Sequence, residues 1–204
     1  VSAVAIIPAR GGSRRIPGKN KRLFHGKPII AYSIETAKKS RLFGDVFVST
    51  DDQEIAEIAT RHGATPLLRP IEFCEDEIGT QEVMKYVLST QIPHEIDHAC
   101  CIYPTAPMMT IEDLWFANDI LRASANTRYA VSVGAWLSDA GQFYFGRASA
   151  FIAEKPLLGP HTALIPIPLE RVQDINTEDD WSRAEKMFES FIVNESFIKI
   201  GSAL

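Results

Sequence analysis

The sequence predicts a three-layer α/β/α fold around a mostly parallel sheet. Short continuous apolar runs alternate with stretches of helical period along most of the chain. Polar caps open several of the helical stretches, so each change of period has its own local signal. The 204 residues are 46% hydrophobic and 23% charged, the balance of one ordinary globular domain with at most a small appendage.

Residues 4–7 are consecutively apolar and closed by Pro8, the pattern of a strand buried on both faces. Pro28 starts a helix running to Lys38, with Ile30, Ile34 and Ala37 on one face. Residues 46–50 read as a strand, after which Asp51 or Asp52 caps a helix carrying Ile55, Ile58 and Ala59 and ending at Gly63. Residues 65–68 are a further strand, and Thr80 is expected to cap a helix with Val83, Val87 and Leu88. A buried strand follows over 99–103, and Thr110 caps a helix reaching about Ala123. Strands are expected at 129–133, 143–145 and 163–167. Thr177 opens the last helix, and Asp180, three residues on, stands in for the Glu or Gln of a capping box. Glu178, Asp179 and Asp180 put acids in the first turn, where the helix dipole favours them.

Composition narrows the function. A net charge of −5 argues against general binding of nucleic acid or anionic membranes, so any attraction to anions has to be local. The three cysteines are odd in number and two are adjacent, which suggests reduced thiols in a cytoplasmic compartment. No stretch is apolar for long enough to span a bilayer, and residues 1–7 lack the basic start of a signal peptide. A soluble, cytoplasmic protein is expected.

The local attraction is visible at once. Seven Lys or Arg residues stand between Arg10 and Lys27, and the first acid of the chain is Glu35. Open α/β sheets bind ligands at the carboxyl ends of their strands, and this stretch leaves the end of the first one. Gly11 and Gly12 are expected to turn backbone N–H groups toward one point, Ser13 adds a hydroxyl, and Pro17 stiffens the loop. Together with the cations these form a receptor for a polyphosphate. The spacing matches neither G-x-x-x-x-G-K-[ST] nor G-x-G-x-x-G. An RNA contact is the competing reading, weakened because only Phe24 offers a nearby ring for stacking.

The opening run Ile6-Ile7-Pro8-Ala9-Arg10-Gly11-Gly12-Ser13-Arg14-Arg15-Ile16-Pro17-Gly18-Lys19-Asn20 resembles the signature of the CMP-sialic acid synthetase family, the cytidylyltransferases that activate nine-carbon acidic sugars. Val48-Ser49-Thr50-Asp51-Asp52, Leu68-Arg69-Pro70 and Tyr103-Pro104-Thr105-Ala106-Pro107 are similar to further blocks of that family, in the same order. Asp139-Ala140-Gly141-Gln142-Phe143-Tyr144 and the run from Val172 to Trp181 resemble its pseudaminic acid branch most closely. The resemblance implies a Rossmann-like nucleotidyltransferase sheet and transfer of CMP from CTP to the anomeric hydroxyl of the sugar, with release of pyrophosphate and help from Mg²⁺. It implies that Ala9, Arg10, Gly11, Gly12, Ser13, Arg14, Lys19 and Asn20 hold the nucleotide, with Arg69 and Thr80 at its base and ribose. Lys19, Arg10 and Asp174 would be catalytic, and Tyr103, Gln142 and Tyr144 would face the sugar. Where the family shows Asp-x-Asp, this chain has Asp174-Ile175-Asn176, so Asp174 is the expected metal ligand and Asn176 a direct or water-bridged one. In an extended segment the two point the same way.

The family also carries an excursion of a few dozen residues that reaches a partner subunit and makes a homodimer. Here only seven residues separate Val131 from Asp139, so the dimerisation arm expected near 133–138 is missing or has been omitted from the sequence. Other readings stay open. The sugar could instead be Kdo or sialic acid, a glycosyltransferase could share the sheet, or the chain could bind a nucleotide without catalysis.

Two signals are set aside. His94-Glu95-Ile96-Asp97-His98 matches H-E-x-x-H, but Pro93 before it and the strand after it leave no room for the helix that zinc ligation needs. His25, His62 and His161 have no evident partners, although His161, beside Pro160, is a possible substrate contact. Asp51 and Asp52 are candidate carboxylates that helix capping also explains.

Overall fold

The computed structural model describes residues 2–75, 77–92 and 95–201, with side chains as far as Asn194. The first apolar run forms β1 (Ala3–Pro8), and the basic loop after it passes through a 3-10 turn at Lys19–Lys21. A small hairpin follows, β2 (Leu23–Phe24) with β3 (Lys27–Pro28), which the sequence pattern did not announce. Next come α1 (Ile29–Ser40), β4 (Asp45–Thr50), α2 (Gln53–Arg61) and β5 (Thr65–Leu68). Then follow α3 (Thr80–Tyr86), β6 (His98–Ile102), α4 (Ile111–Ala123) and β7 (Tyr129–Val133). The chain ends with β8 (Asp139–Arg147), α5 (Ala148–Ile152), β9 (Thr162–Pro166) and α6 (Glu178–Gly201).

The sheet order is β5-β4-β1-β6-β8-β7-β9. Only β8 is antiparallel to its neighbours; β1, β4, β5 and β6 pair in parallel, as do β7 and β9. The expected three-layer, mostly parallel architecture is therefore present. Ile7, Val48, Cys100, Ile102 and Phe145 pack on one face against α1, α2 and α4. Ile6, Cys101, Tyr129 and Tyr144 pack on the other against α3 and α5. Strands covered on both faces carry no alternation of polar residues, which is why β1 and β6 read as continuous apolar runs.

Local signals explain most boundaries. Asp52, not Asp51, caps α2, accepting from the N–H groups of Glu54 and Ile55. Thr110 and Asp113 close a reciprocal box at α4, and Thr177 and Asp180 do the same at α6. The expected Thr80 cap is corrected: Gly79 is the N-cap, the Glu82 carboxylate accepts its N–H, and Thr80 is the first helical residue. Thr80 is thereby left half-buried with its side chain turned to Tyr103. The strand expected at 143–145 is longer, because β8 sits between two partners and is paired along both edges. Gly146 within it lies so close to Tyr129 that a Cβ would come within 2.4 Å of the ring.

Of the H-E-x-x-H run, His94 lies outside the described residues. His98 is buried in β6 against Phe145, which no exposed metal-binding helix would allow. Between β7 and β8 the backbone turns through Gly134 and Ser138, which share a 2.7 Å hydrogen bond. Trp136 and Leu137 in that turn both hold positive φ, 54° and 60°, and Trp136 is wholly exposed.

One ion pair fixes how the last third of the chain returns to the sheet. Arg171 forks onto Asp113, with Nη2 donating to Oδ1 at 2.9 Å, and its Nη1 also donates to the carbonyl of Met108. Both side chains are largely out of water. Removing one partner would leave the other charge buried and unpaired. Arg171→Ala is expected to lower stability by about 3–5 kcal/mol; urea unfolding of the variant beside the parent measures it.

Candidate functional site

A cavity of about 680 Å³ opens where β1, β5 and β6 end. The loop after β1 supplies Arg10, Ser13, Arg14, Lys19 and Asn20 to one wall. Asp174 and Asn176 from the segment before α6 face into the same space. Arg69 and Thr80, on either side of the β5–α3 connection, close a third side, and Tyr103 follows β6. Residues nearly 170 positions apart in sequence thus share one cleft.

The basic loop is held from two sides. Beneath it, Ile16 and Phe24 are fully buried in a small apolar cluster with Trp181 and Phe188 of α6. The Arg22 guanidinium lies 4.4 Å above the Trp181 ring and bonds Glu178 at 2.7 Å. Phe24, the one ring the sequence offered for base stacking, is therefore not on the surface. On the other side, the Gly11 N–H donates to Asp51 at 2.8 Å, and a Cβ on Gly11 would lie 2.8 Å from the Cβ of Asp52. No larger residue fits there. Asp52 is held in turn by Lys21 at 2.8 Å.

This corrects the expected anion nest. Gly11 turns its N–H to Asp51, and the Ser13 N–H donates to the Gly11 carbonyl at 3.0 Å. Arg10, Ser13, Arg14 and Lys19 of this loop line the cavity, and Gly11 does not. Ala9 is buried behind the loop and donates its N–H to the Ser49 carbonyl. Asp51 and Asp52, considered as catalytic carboxylates, are occupied in fastening the loop to β4 and α2.

Lys19 is the central cation. Its Nζ donates to the Ile175 carbonyl at 2.6 Å, which ties the basic loop to the acidic wall. Burial pushes its pKa down; Asp174 opposes that, while Arg15 and Arg10 add to it. Arg10 donates to the Cys74 carbonyl at 3.0 Å, and Asn20 donates to the Arg10 carbonyl at 2.9 Å. The Oδ1 of Asn20 and the Nε of Arg69 are buried with no hydrogen-bond partner. Buried polar atoms without partners are costly, and both of these residues also line the cavity.

Asp174 and Asn176 stand side by side, the Asn176 amide donating to the Asp174 carboxylate. Among the described residues no group of three or more His, Cys, Asp or Glu side chains could hold a metal ion. One carboxylate and one amide oxygen suit a hard divalent cation that takes its remaining ligands from water and phosphate. Turning the amide over would present its oxygen beside the carboxylate.

Two expected sugar contacts lie elsewhere. Gln142 is buried and donates to the Arg171 carbonyl at 2.7 Å, bracing the segment that carries Asp174. Tyr144 is buried behind Tyr103, whose hydroxyl it meets at 2.9 Å. Neither lines the cavity. His161 lies beside Arg128 and Lys155, where β9 begins, at the opposite end of the sheet. Sequence reasoning missed Phe73, Glu75 and Ile78, which line the cavity from the connection after β5. That connection has no regular period, so only the placement of Arg69 and Thr80 at its ends could have hinted at it.

Residues 4–142 match the cytidylyltransferase family. The pseudaminic acid cytidylyltransferase of Campylobacter jejuni serotype O:2 is 33% identical, over 91% of this chain and 95% of its own. The CMP-N,N'-diacetyllegionaminic acid synthase of Legionella pneumophila is 28% identical over 91% of this chain and 96% of its own. A solved structure of CMP:2-keto-3-deoxy-manno-octonic acid synthetase complexed with CTP superposes with a TM-score of 0.74 at 16% identity, covering 93% of this chain and 99% of that one. A mostly parallel sheet with a cationic cleft at its carboxyl edge, matched over this length, places the chain among known proteins: it belongs to the cytidylyltransferase family.

Proposed function

We propose that the protein transfers CMP from CTP to the anomeric hydroxyl of an acidic nine-carbon sugar, pseudaminic acid, and releases pyrophosphate. The meeting of Arg10, Ser13, Arg14 and Lys19 with Asp174 and Asn176 across one cavity carries this reading. The sugar oxygen attacks the α-phosphorus, and the bond to the bridging oxygen of pyrophosphate breaks. Arg10, Ser13 and Arg14 hold the triphosphate. Lys19 donates to the phosphoryl oxygens as charge builds on them, a role that needs a donor fixed in advance. Asn20, Arg69 and Thr80, which line the same cavity, take the nucleoside's polar groups.

Mg²⁺, held by Asp174 with Asn176, would neutralise phosphate charge. We also propose that residues 1–204 work as one cytidylyltransferase domain in a cytoplasmic homodimer. The free cysteines support a reducing compartment. The match to the Campylobacter protein runs over 221 positions, whereas 91% of 204 residues is about 186. About 35 positions of that relative therefore lack a counterpart here, as a missing arm would require. Pyrophosphate release from CTP and from UTP, assayed with pseudaminic, legionaminic, sialic and Kdo acids, tests the whole reading. Release with CTP that requires pseudaminic acid is expected; release indifferent to the sugar would overturn it.

Lys19→Ala is expected to lower kcat/KM by about 100- to 1,000-fold, about 2.7–4 kcal/mol, as for the loss of one preorganised donor. Steady-state kinetics read this directly. Lys19 must carry its proton to act, and burial lowers its pKa, so kcat/KM should fall on the alkaline side below the pH at which an ordinary lysine titrates. In Lys19→Arg that limb should be absent from the pH profile, because guanidinium keeps its proton. Asp174→Ala should raise the Mg²⁺ concentration needed for half-maximal turnover by about tenfold or more; ligand loss and outer-shell changes both have effects of that order. A metal titration at saturating CTP measures it.

A further inference from the structure

Two tyrosines and an aspartate are joined by hydrogen bonds leading away from the cavity wall. Tyr103 lines the cavity. Its hydroxyl meets that of Tyr144 at 2.9 Å, the two rings crossing edge to face at 5.6 Å. The Tyr144 hydroxyl is in turn bonded to the Oδ2 of Asp139. Tyr103 sits just past the end of β6, its N–H on the Gln142 carbonyl, and β8 carries Tyr144 opposite Cys101 of β6. Strand pairing thus sets the spacing of the chain.

An ionised carboxylate can only accept. Tyr144 must therefore give its one proton to Asp139 and accept the proton of Tyr103. The Tyr103 oxygen is then left with accepting capacity on its cavity side, toward Thr80 and whatever the cavity holds. A phenol in that state is an acceptor for a hydroxyl group. Asp139 opens β8, directly after the turn that follows β7. Its other oxygen is braced by the Gly141 N–H at 2.8 Å.

We propose that Tyr103, Tyr144 and Asp139 form a proton relay that removes the proton of the attacking sugar hydroxyl, an inference that rests on the function proposed above. As the anomeric oxygen bonds to the α-phosphorus and the bond to pyrophosphate breaks, its proton moves to the Tyr103 oxygen. The Tyr103 proton moves to Tyr144, and the Tyr144 proton to the Asp139 carboxylate. No charge appears on either ring at the end, and burial disfavours a phenolate at both. Tyr103 is the catalytic residue. Tyr144 and Asp139 act through it as positioning residues.

Tyr144→Phe and Asp139→Asn test the relay, since neither adds bulk. Each is expected to lower kcat about 100-fold or more, the scale of general acid–base catalysis, with KM for CTP changed less than about threefold. Because both interrupt one path, the double variant should be no slower than the slower single one. Undiminished kcat in both, or losses that multiply in the double variant, would overturn the relay while leaving the proposed function standing. If the parent itself shows no sugar-dependent pyrophosphate release, the function falls and the relay with it. An independent reading needs no turnover: the unliganded parent should show a downfield hydroxyl proton resonance that disappears in Asp139→Asn, and its absence from the parent would refute the fixed chain.

Discussion

Cations crowded into one loop repel one another, and the fold has to hold them in place against that repulsion. It does so with apolar anchors and paired acids. Ile16 and Phe24 are buried to the last atom under α6, each contributing about 1.5–3 kcal/mol relative to exposure. Asp51 takes the Gly11 N–H, and Asp52 pairs with Lys21 while capping α2. The loop is thus fastened to α6 on one side and to the β4–α2 junction on the other. Its remaining cations face the cavity, already assembled when a polyanion arrives. An unanchored loop would have to be ordered by the ligand, at the expense of affinity.

The acidic wall depends on a different set of contacts with the same result. Arg171 on Asp113 and Gln142 on the Arg171 carbonyl hold the strand-like segment that ends in Asp174 and Asn176. Asp113 also belongs to the cap of α4, so the geometry of that helix start and the placement of Asp174 are coupled. Lys19 then bridges the walls through the Ile175 carbonyl. The basic loop and the acidic segment meet on a backbone carbonyl, which leaves the Asp174 carboxylate to the cavity. Gln142, prominent in its motif, braces the segment that carries Asp174.

Much of the fold was legible because its signals are local. Caps such as Asp52, Thr110 and Thr177 act on the next three residues, and strands covered on both faces are apolar throughout. Thr80 was misjudged because Gly79, lacking a side chain, left the cap to the Glu82 carboxylate, and the following helix needed no hydroxyl. The β2–β3 hairpin has only two residues per strand, too few for any period to show. The Gly11 N–H meets Asp51, just past the end of β4, a contact between segments 40 positions apart.

By itself the sequence determined the class of the sheet, the segregation of positive charge at its first turn, and the residue types suited to a polyphosphate, since each depends on neighbours within a few positions. Only the tertiary structure decided which of those residues share the cavity: that Tyr144 stands behind Tyr103, that Gln142 braces the Arg171 carbonyl, and that Phe73, Glu75 and Ile78 form a wall. Those outcomes depend on strand register and on buried pairs joining distant segments. No short window of sequence contains both members of such a pair.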